Sequence, residues 1–599
     1  MVECYFMEEI LTPVKKHLLT KIANTQTAKK LEIDISEIII VSQLQMPEFG
    51  DYSTPIAMRL GKKLNKNPFD IAESIASEIQ KDDFIDKVSV VKPGFINIWI
   101  TKSTLFQNLK NIIELKEEYG KLQNTQKKTF LIEHTSPNPN KAMHLGHLRN
   151  NVTGMAIANI WEWEGIKVIR DSVDNNRGIA IAKLMWGYLK FARKSENTPI
   201  DINYWYLNQN EWYTPQDQMI SPDIFVDRLY VKGSEDCKDE EVEKKVRQMV
   251  IDWENEDKVN MELWKKVLQY TYEGQNKTLS RLGNRWDVIW RESNHYKLGK
   301  KIVEEGLKKG IFKKLQDGAI LSNLEKYGLT DTILIKSDGT SLYITQDIAL
   351  TKLKVEKYHP DKIFWTIGPE QSLALRQLFA ICDELGIGKQ NMFEHISYGL
   401  MTLKNKGKIS SREGNVIYID NLIDEVKNKI IGLLDKDKMD VEKTAEILAV
   451  GAVKYSILKV GRNTDIAFDI DESISIDGDS GIYIIYTYVR CKSVLEKYAK
   501  KLPDINFLEI GATEEELSIL RLLHKFTDSV ISSAVVLSPN LICSYLFDLA
   551  QKFNAFYQKN NILNSEKSVQ EFRVLLTFAV SQVIKNGLSI LGIQTVDKM

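Results

Sequence analysis

Thr129-Phe-Leu-Ile-Glu133-His-Thr-Ser-Pro-Asn-Pro-Asn-Lys-Ala-Met-His144-Leu-Gly-His-Leu-Arg-Asn-Asn151 decides how this chain folds. Its first five residues read as a short buried strand, and the Pro/Asn run after them as a loop. A helix is predicted from about Leu145 to Gly165, and Val168–Val173 is the next strand-like run. Strand, helix, strand at this spacing is a βαβ unit, the seed of a doubly wound parallel sheet. Open sheets of that kind bind ligands at the carboxyl ends of their strands, so the loop after Glu133 is the candidate site.

Three of the eight histidines lie in this stretch: His134, His144 and His147. His144 and His147 are three apart at a predicted helix N-terminus, which puts both rings on one face. Free backbone N–H groups and the positive end of the helix dipole favour an anion there. Gly146 between them lets a nucleotide come close to the backbone. Two imidazoles aimed at one phosphate can stabilise charge that develops in a transition state. An isolated pair of this kind is more commonly structural or metal-binding; its position after the strand favours the anion.

Outward from this core, 599 residues imply roughly three to five domains. With 80 Lys and Arg against 81 Asp and Glu, the net charge of −1 excludes bulk electrostatic capture of nucleic acid. The hydrophobic and charged fractions, 43% and 27%, fit a soluble globular protein. Five scattered cysteines without a CxxC suit a reducing cytoplasm and give no zinc site. The acidic start lacks a signal-peptide n-region, and no run is long and apolar enough for a membrane span.

Residues 1–110 read as a small α+β unit, with a strand at Ile35–Val41, a helix opening at Asn67-Pro68 and an alternating strand through Gly94–Ile100. A polar linker is expected over 115–128. The stretch 190–300 is Trp/Tyr-rich and reads as a helical insertion with an acidic run at Glu235–Asp257. Alternation of strands (Thr332–Ile335, Lys362–Ile367, Ile396–Leu403) and helices (Leu373–Leu385, Leu422–Leu434) returns over 330–425. Beyond about 440 the pattern is helical.

His144-Leu-Gly-His147 resembles the HIGH signature of class I aminoacyl-tRNA synthetases. With Ser136-Pro-Asn-Pro-Asn-Lys before it and Leu-Arg-Asn after it, the string resembles the arginyl-tRNA synthetases in particular. The segment Lys408-Ile-Ser-Ser-Arg-Glu-Gly-Asn415 is similar to their KMSKS-type loop, but Ser411 replaces the second lysine. Lys141 or Arg412 is the candidate for the missing cation. The resemblance spans the chain and implies six parts: an N-terminal additional domain touching the tRNA elbow (1–110), the first catalytic half (125–190), a helical connective insertion (191–325), the second catalytic half (326–430), a helical stem (431–479) and an all-α anticodon-binding domain (480–599).

The resemblance also implies site roles. His144, His147, Lys141 and Lys408 would act in catalysis. His144, Gly146, His147, Gly368, Met401, Lys408, Ser410 and Ser411 would hold ATP with Mg2+. Arginine would be read by Tyr343 and Asp347 at the guanidinium, with Glu133, Ser136, Asn138, His144 and Gln371 around the rest. The residue types fit the substrate that the resemblance implies: a guanidinium wants carboxylates and carbonyls, and Tyr343 and Asp347 are one helical turn apart. Phe49, Tyr52, Arg59 and Lys62 would meet tRNA by stacking and phosphate contact. No structural metal is expected. The implied reaction is ATP-dependent activation of L-arginine and its transfer to the 3′-terminal adenosine of tRNA(Arg) by a monomer. The alternatives are a non-catalytic tRNA-binding paralogue, which the altered loop motivates, or another class I synthetase such as the cysteinyl enzyme.

Overall fold

The computed structural model describes residues 11–33, 38–42, 49–122, 127–404, 417–434, 440–503 and 511–599. Its central sheet is parallel, in the spatial order Phe393–Ile396, Lys362–Thr366, Thr129–Glu133, Lys167–Asp174, Val288–Arg291. The chain enters this sheet at its middle strand, winds to one edge, then returns to build the other. Direction reverses between Thr129–Glu133 and Lys362–Thr366, which opens a crevice at their carboxyl ends. Both faces of the sheet are covered, as a parallel sheet requires. Phe130, Ile132 and Phe364 pack on one side with Trp161, and Leu131, Ile363 and Trp365 on the other.

The predicted helix after the loop runs Leu145–Trp163, and the strand after it Lys167–Asp174. Gly154 lies where this helix crosses the end of the first strand. A Cβ there would overlap the His134 side chain.

The span expected to be a helical insertion, 191–325, divides differently. Its helical body starts earlier, with Ile179–Phe191, which crosses Pro222–Asp236 backbone to backbone at Gly187 and Gly233. Lys258–Arg281 completes that body. Val288–Arg291 then returns to the catalytic sheet as its edge strand. Four residues were too short a run to announce a strand amid so much helix.

Two further expectations change. Thr332–Ile335 pairs antiparallel in a separate sheet with Ile320–Ser322 and Lys313–Lys314. The single strand expected over Ile396–Leu403 is two: Phe393–Ile396 in the parallel sheet, and Met401–Leu403 paired with Ile466–Phe468. Between them Gly399 N–H donates to the Arg462 carbonyl, which carries the chain out of the sheet.

In the N-terminal unit the sheet order is Val41–Ser42, Tyr52–Thr54, Phe95–Ile100, Ile85–Val91, all antiparallel. Of the strand expected at Ile35–Val41, residues 34–37 lie outside the described set, and 38–40 are not strand. Asn67 caps the helix Pro68–Glu78 as its sequence predicts. This unit docks on the helices at the far end of the chain. Tyr52 is buried, and its hydroxyl reaches His524 (3.1 Å) and Asp528 (3.1 Å). Asp51 pairs with Arg521, and Lys15 with Asp528.

The expected linker carries structure too. It begins in the helix Lys102–Leu115, and buried Tyr119 donates to the Leu523 carbonyl (3.0 Å). The carboxyl-terminal helices, Gly481–Tyr498 through Lys567–Ile590, bury Phe553 and Phe556 and leave Tyr557 partly exposed. They are tied to the catalytic half: Asn159 donates to the Ile590 carbonyl (3.1 Å), and Lys454 to that of Gly592 (2.6 Å). No helix among the described residues is long and apolar enough to cross a membrane.

Candidate functional site

The loop after Glu133 is pinned from below. Thr135 is a buried, β-branched residue at φ +56°, a conformation that costs about 1–3 kcal/mol unless its surroundings enforce it. Asn150 accepts from its N–H (2.6 Å), Ser172 donates to its carbonyl (3.0 Å), and Asn151 donates to its hydroxyl (3.2 Å). Asn150 also donates to the Thr366 carbonyl (2.6 Å), which ties together the two strands on either side of the crevice. Buried Arg149 donates to the carbonyls of Leu400, Arg462 and Thr464 (2.7–3.0 Å). The Leu-Arg-Asn-Asn run is thus the latch that holds the crevice. The sequence showed these residues only as part of a resemblance.

His144 and His147 sit at the helix start with ring centroids 4.0 Å apart. Gly146 N–H donates to His144 Nδ1 (3.2 Å), and His144 N–H donates to His147 Nδ1 (3.2 Å). A ring nitrogen that accepts carries no proton, so each neutral ring keeps its hydrogen on Nε2. Burial, together with the Lys141 charge, lowers the His144 pKa to about 4 and takes His147 well below its usual value. Both rings are therefore neutral near pH 7, each with one N–H free for an oxyanion. Lys141 lies in the same loop, which Gln275 holds by donating to the Lys141 carbonyl (2.9 Å). His134 is different: it is buried against Thr135, and burial lowers its pKa to about 3.

Lys408, Ser410, Ser411 and Arg412 lie outside the described residues. The segments on either side of them reach the site. Met401 is buried in Met401–Leu403. Tyr418 bridges to His144, and Ile419 N–H donates to the Met143 carbonyl (3.1 Å). Gly368 is buried at the end of Lys362–Thr366, and Gln371 is exposed at the start of the helix Ser372–Glu384. Ala374 beside it is exposed. His395, which sequence reasoning did not single out, lies under this turn with Nε2 on the Ile367 carbonyl (2.9 Å).

The acidic part of the crevice lies under the helix Tyr343–Tyr358. Tyr343 is 83% exposed at its start. Asp347, one turn on, is exposed, with protein crowding its carboxyl. That desolvation and the Glu133 charge raise its pKa to about 7, against the pull of Lys354. Glu133 is buried and already partnered: Lys354 Nζ is 2.6 Å from it, and Ser136 donates to it at 3.4 Å. Ser136 Oγ in turn accepts from Val173 N–H (3.0 Å). Asn138 is exposed, within 3.3 Å of Asn175. Glu133 and Ser136 meet at the end of the first strand, where the Glu133 charge acts on Asp347, and His144 and His147 start the helix that follows the same loop.

Of the residues expected to meet RNA, Phe49, Arg59 and Lys62 are exposed, the last two on the helix Ile56–Leu64. Tyr52 is not available. It faces the carboxyl-terminal helices because Asp528 and His524 give its hydroxyl partners there, so it cannot stack on a base.

Three family models together match nearly all of the chain. These are the catalytic domain of class I tRNA synthetases (R) over 108–470, the DALR anticodon-binding domain over 484–599, and the arginyl tRNA synthetase N-terminal domain over 14–100. The curated arginine–tRNA ligase of Borrelia hermsii is 32% identical, covering 98% of this chain and 99% of that protein. The one from Bacteroides thetaiotaomicron is 33% identical, covering 94% and 96%. The arginyl-tRNA synthetase of Thermus thermophilus shares the fold, with a TM-score of 0.80 at 22% identity over 98% of this chain and 100% of that one.

Proposed function

The chain belongs to the arginyl-tRNA synthetase family of class I aminoacyl-tRNA ligases, and from that premise we propose how its residues divide the reaction. It is an arginine–tRNA ligase. L-Arginine reacts with ATP to give arginyl-adenylate and pyrophosphate, and the arginyl group then passes to the 3′-terminal adenosine of tRNA(Arg), releasing AMP. The single observation that supports this division of labour is the pair of neutral imidazoles whose Nδ1 atoms both accept backbone N–H groups at the start of the helix after the first strand.

In the first step an oxygen of the arginine carboxylate attacks the α-phosphorus, and the bond from that phosphorus to the pyrophosphate oxygen breaks. The Nε2–H groups of His144 and His147 donate to phosphate oxygens as negative charge builds. Lys141 adds a cation from the same loop, and Lys408 a second. Magnesium bound to the triphosphate would supply charge screening beside these residues. Asp347 and Tyr343 hold the guanidinium, and Ser136, Asn138 and Gln371 the amino-acid end. With both ends fixed, the protein contributes mainly orientation and charge stabilisation.

The test is charging of tRNA with labelled arginine, lysine or cysteine in the presence of ATP. Arginine alone is expected to be incorporated. No incorporation with cognate tRNA would leave a tRNA-binding paralogue as the reading.

A further inference from the structure

A lysine at the floor of a pocket for a cationic substrate calls for a reason. Lys354 is completely buried, two turns along the same helix from Asp347. Its ammonium lies 2.6 Å from Glu133 and 2.7 Å from Asp171, with the Trp365 ring 5.5 Å away. Glu133 and Asp171 face each other across neighbouring strands in register. Two buried carboxylates this close repel unless a cation or a shared proton joins them.

We propose that Lys354 is a positioning residue that sets the charge of the arginine pocket: it clamps Glu133 to Asp171 and leaves Asp347 open to the guanidinium. This rests on the arginine-pocket reading above. Once a guanidinium holds Asp347 ionised, Glu133, Asp171 and Asp347 against one ammonium leave two negative charges among them. Arginine brings two positive ones, guanidinium and α-ammonium. Glu292 also acts on Asp347; its partner Arg177 (3.3 Å) is shared with Glu254, and every variant below leaves that group unchanged. Without the clamp, a guanidinium would be drawn down to Glu133 and Asp171 and seat its carboxylate out of reach of the α-phosphate. A slip of about 1 Å is enough to slow such a reaction a hundredfold.

The experiment compares steady-state charging kinetics and calorimetric arginine binding in Lys354→Met, Lys354→Arg, Asp171→Asn, Asp347→Asn and the double variant Asp171→Asn/Lys354→Met. Lys354→Met is expected to lower kcat/KM for arginine about 100-fold with the ATP KM within about threefold. Lys354→Arg keeps the charge and is expected to stay within about tenfold of the parent. The double variant restores two negative charges and supplies an amide N–H to Glu133, so it is expected to regain about tenfold over Lys354→Met. A lysine that only supported the fold would lower the amount of active enzyme, read as kcat, and leave the arginine KM and calorimetric affinity of the folded fraction unchanged. Should Lys354→Met not fold, Asp171→Asn alone decides, because it removes one charge and is expected to raise the arginine KM about tenfold. Lys354→Met within threefold of the parent, a double variant no better than Lys354→Met, or Asp171→Asn within twofold would each overturn the proposal. A parent-like arginine KM in Asp347→Asn would overturn the pocket reading, and the proposal with it.

Discussion

Lowering the pH from 8 to 6 is expected to weaken arginine binding through Asp347. Its carboxyl has a pKa raised to about 7 by desolvation and by the Glu133 charge, with Lys354 opposing. Arginine pairs with the ionised form, so binding is at full strength above this pKa and falls as the pH drops through it. With a pKa near 7, about ten elevenths of the pockets are ionised at pH 8 and about one eleventh at pH 6, a ratio of about ten in apparent affinity. Because Asp347 is exposed, screening trims the shift, so tenfold is a ceiling. The assay is the arginine KM in tRNA charging at saturating ATP and tRNA, from pH 6 to 8, for the parent and Asp347→Asn. The parent KM should fall with rising pH, while that of the variant should be higher and flat. The histidines do not mask the effect, since His144 titrates near 4 and His147 is also lowered. A flat parent profile, or a slope surviving in Asp347→Asn, would refute the reasoning.

His147→Asn keeps an acceptor at the Nδ1 position for the His144 N–H but removes the Nε2 donor. It is expected to lower kcat about 100-fold while thermal stability changes little, and an unchanged kcat would exclude the donor role. Gly154→Ala pushes a methyl into His134 and should destabilise the catalytic half by about 1–3 kcal/mol, read as a lower urea midpoint for loss of activity. Tyr52→Phe retains the ring and loses only the hydroxyl that reaches His524 and Asp528. It is expected to weaken docking of the N-terminal unit by about 1–2 kcal/mol and to speed proteolysis near the junction; parent-like proteolysis would count against the buried assignment.

The catalytic fold was legible because its first strand, loop and helix carry local signals that agree: an apolar run, turn residues, and a helix start with its ligands. Asn67-Pro68 shows the same agreement and was read correctly as a helix start. Val288–Arg291 was not legible, because an edge strand of four residues is defined by its partner, Lys167–Asp174, and not by a pattern of its own. The break inside Ile396–Leu403 has the same origin: Arg149, some 250 residues earlier, takes the Leu400 carbonyl and redirects the chain. In the site, residue types and spacing pointed to His144 and His147, and the resemblance to Tyr343 and Asp347. Lys354 was missed because an ordinary lysine seven residues along a helix shows nothing until Glu133 and Asp171 arrive from two other strands. Tyr52 was misread because an aromatic beside basic residues looks the same whether its face meets a base or a buried aspartate.

The clasp between the first and last units also sets a timetable for biosynthesis. Tyr52 and Asp528 are 476 residues apart, and Tyr119 reaches across 404 to Leu523. At roughly 5–20 residues per second, the amino-terminal unit waits roughly 20–100 s on the ribosome before its partner surface exists. Throughout that interval Asp51, Tyr52 and Lys15 must be satisfied by water or by a chaperone. The seam is apolar as well as polar, with Phe106 on Phe572 and Tyr119 stacked on Phe526, so hydrophobic surface too stays uncovered until the last helices emerge.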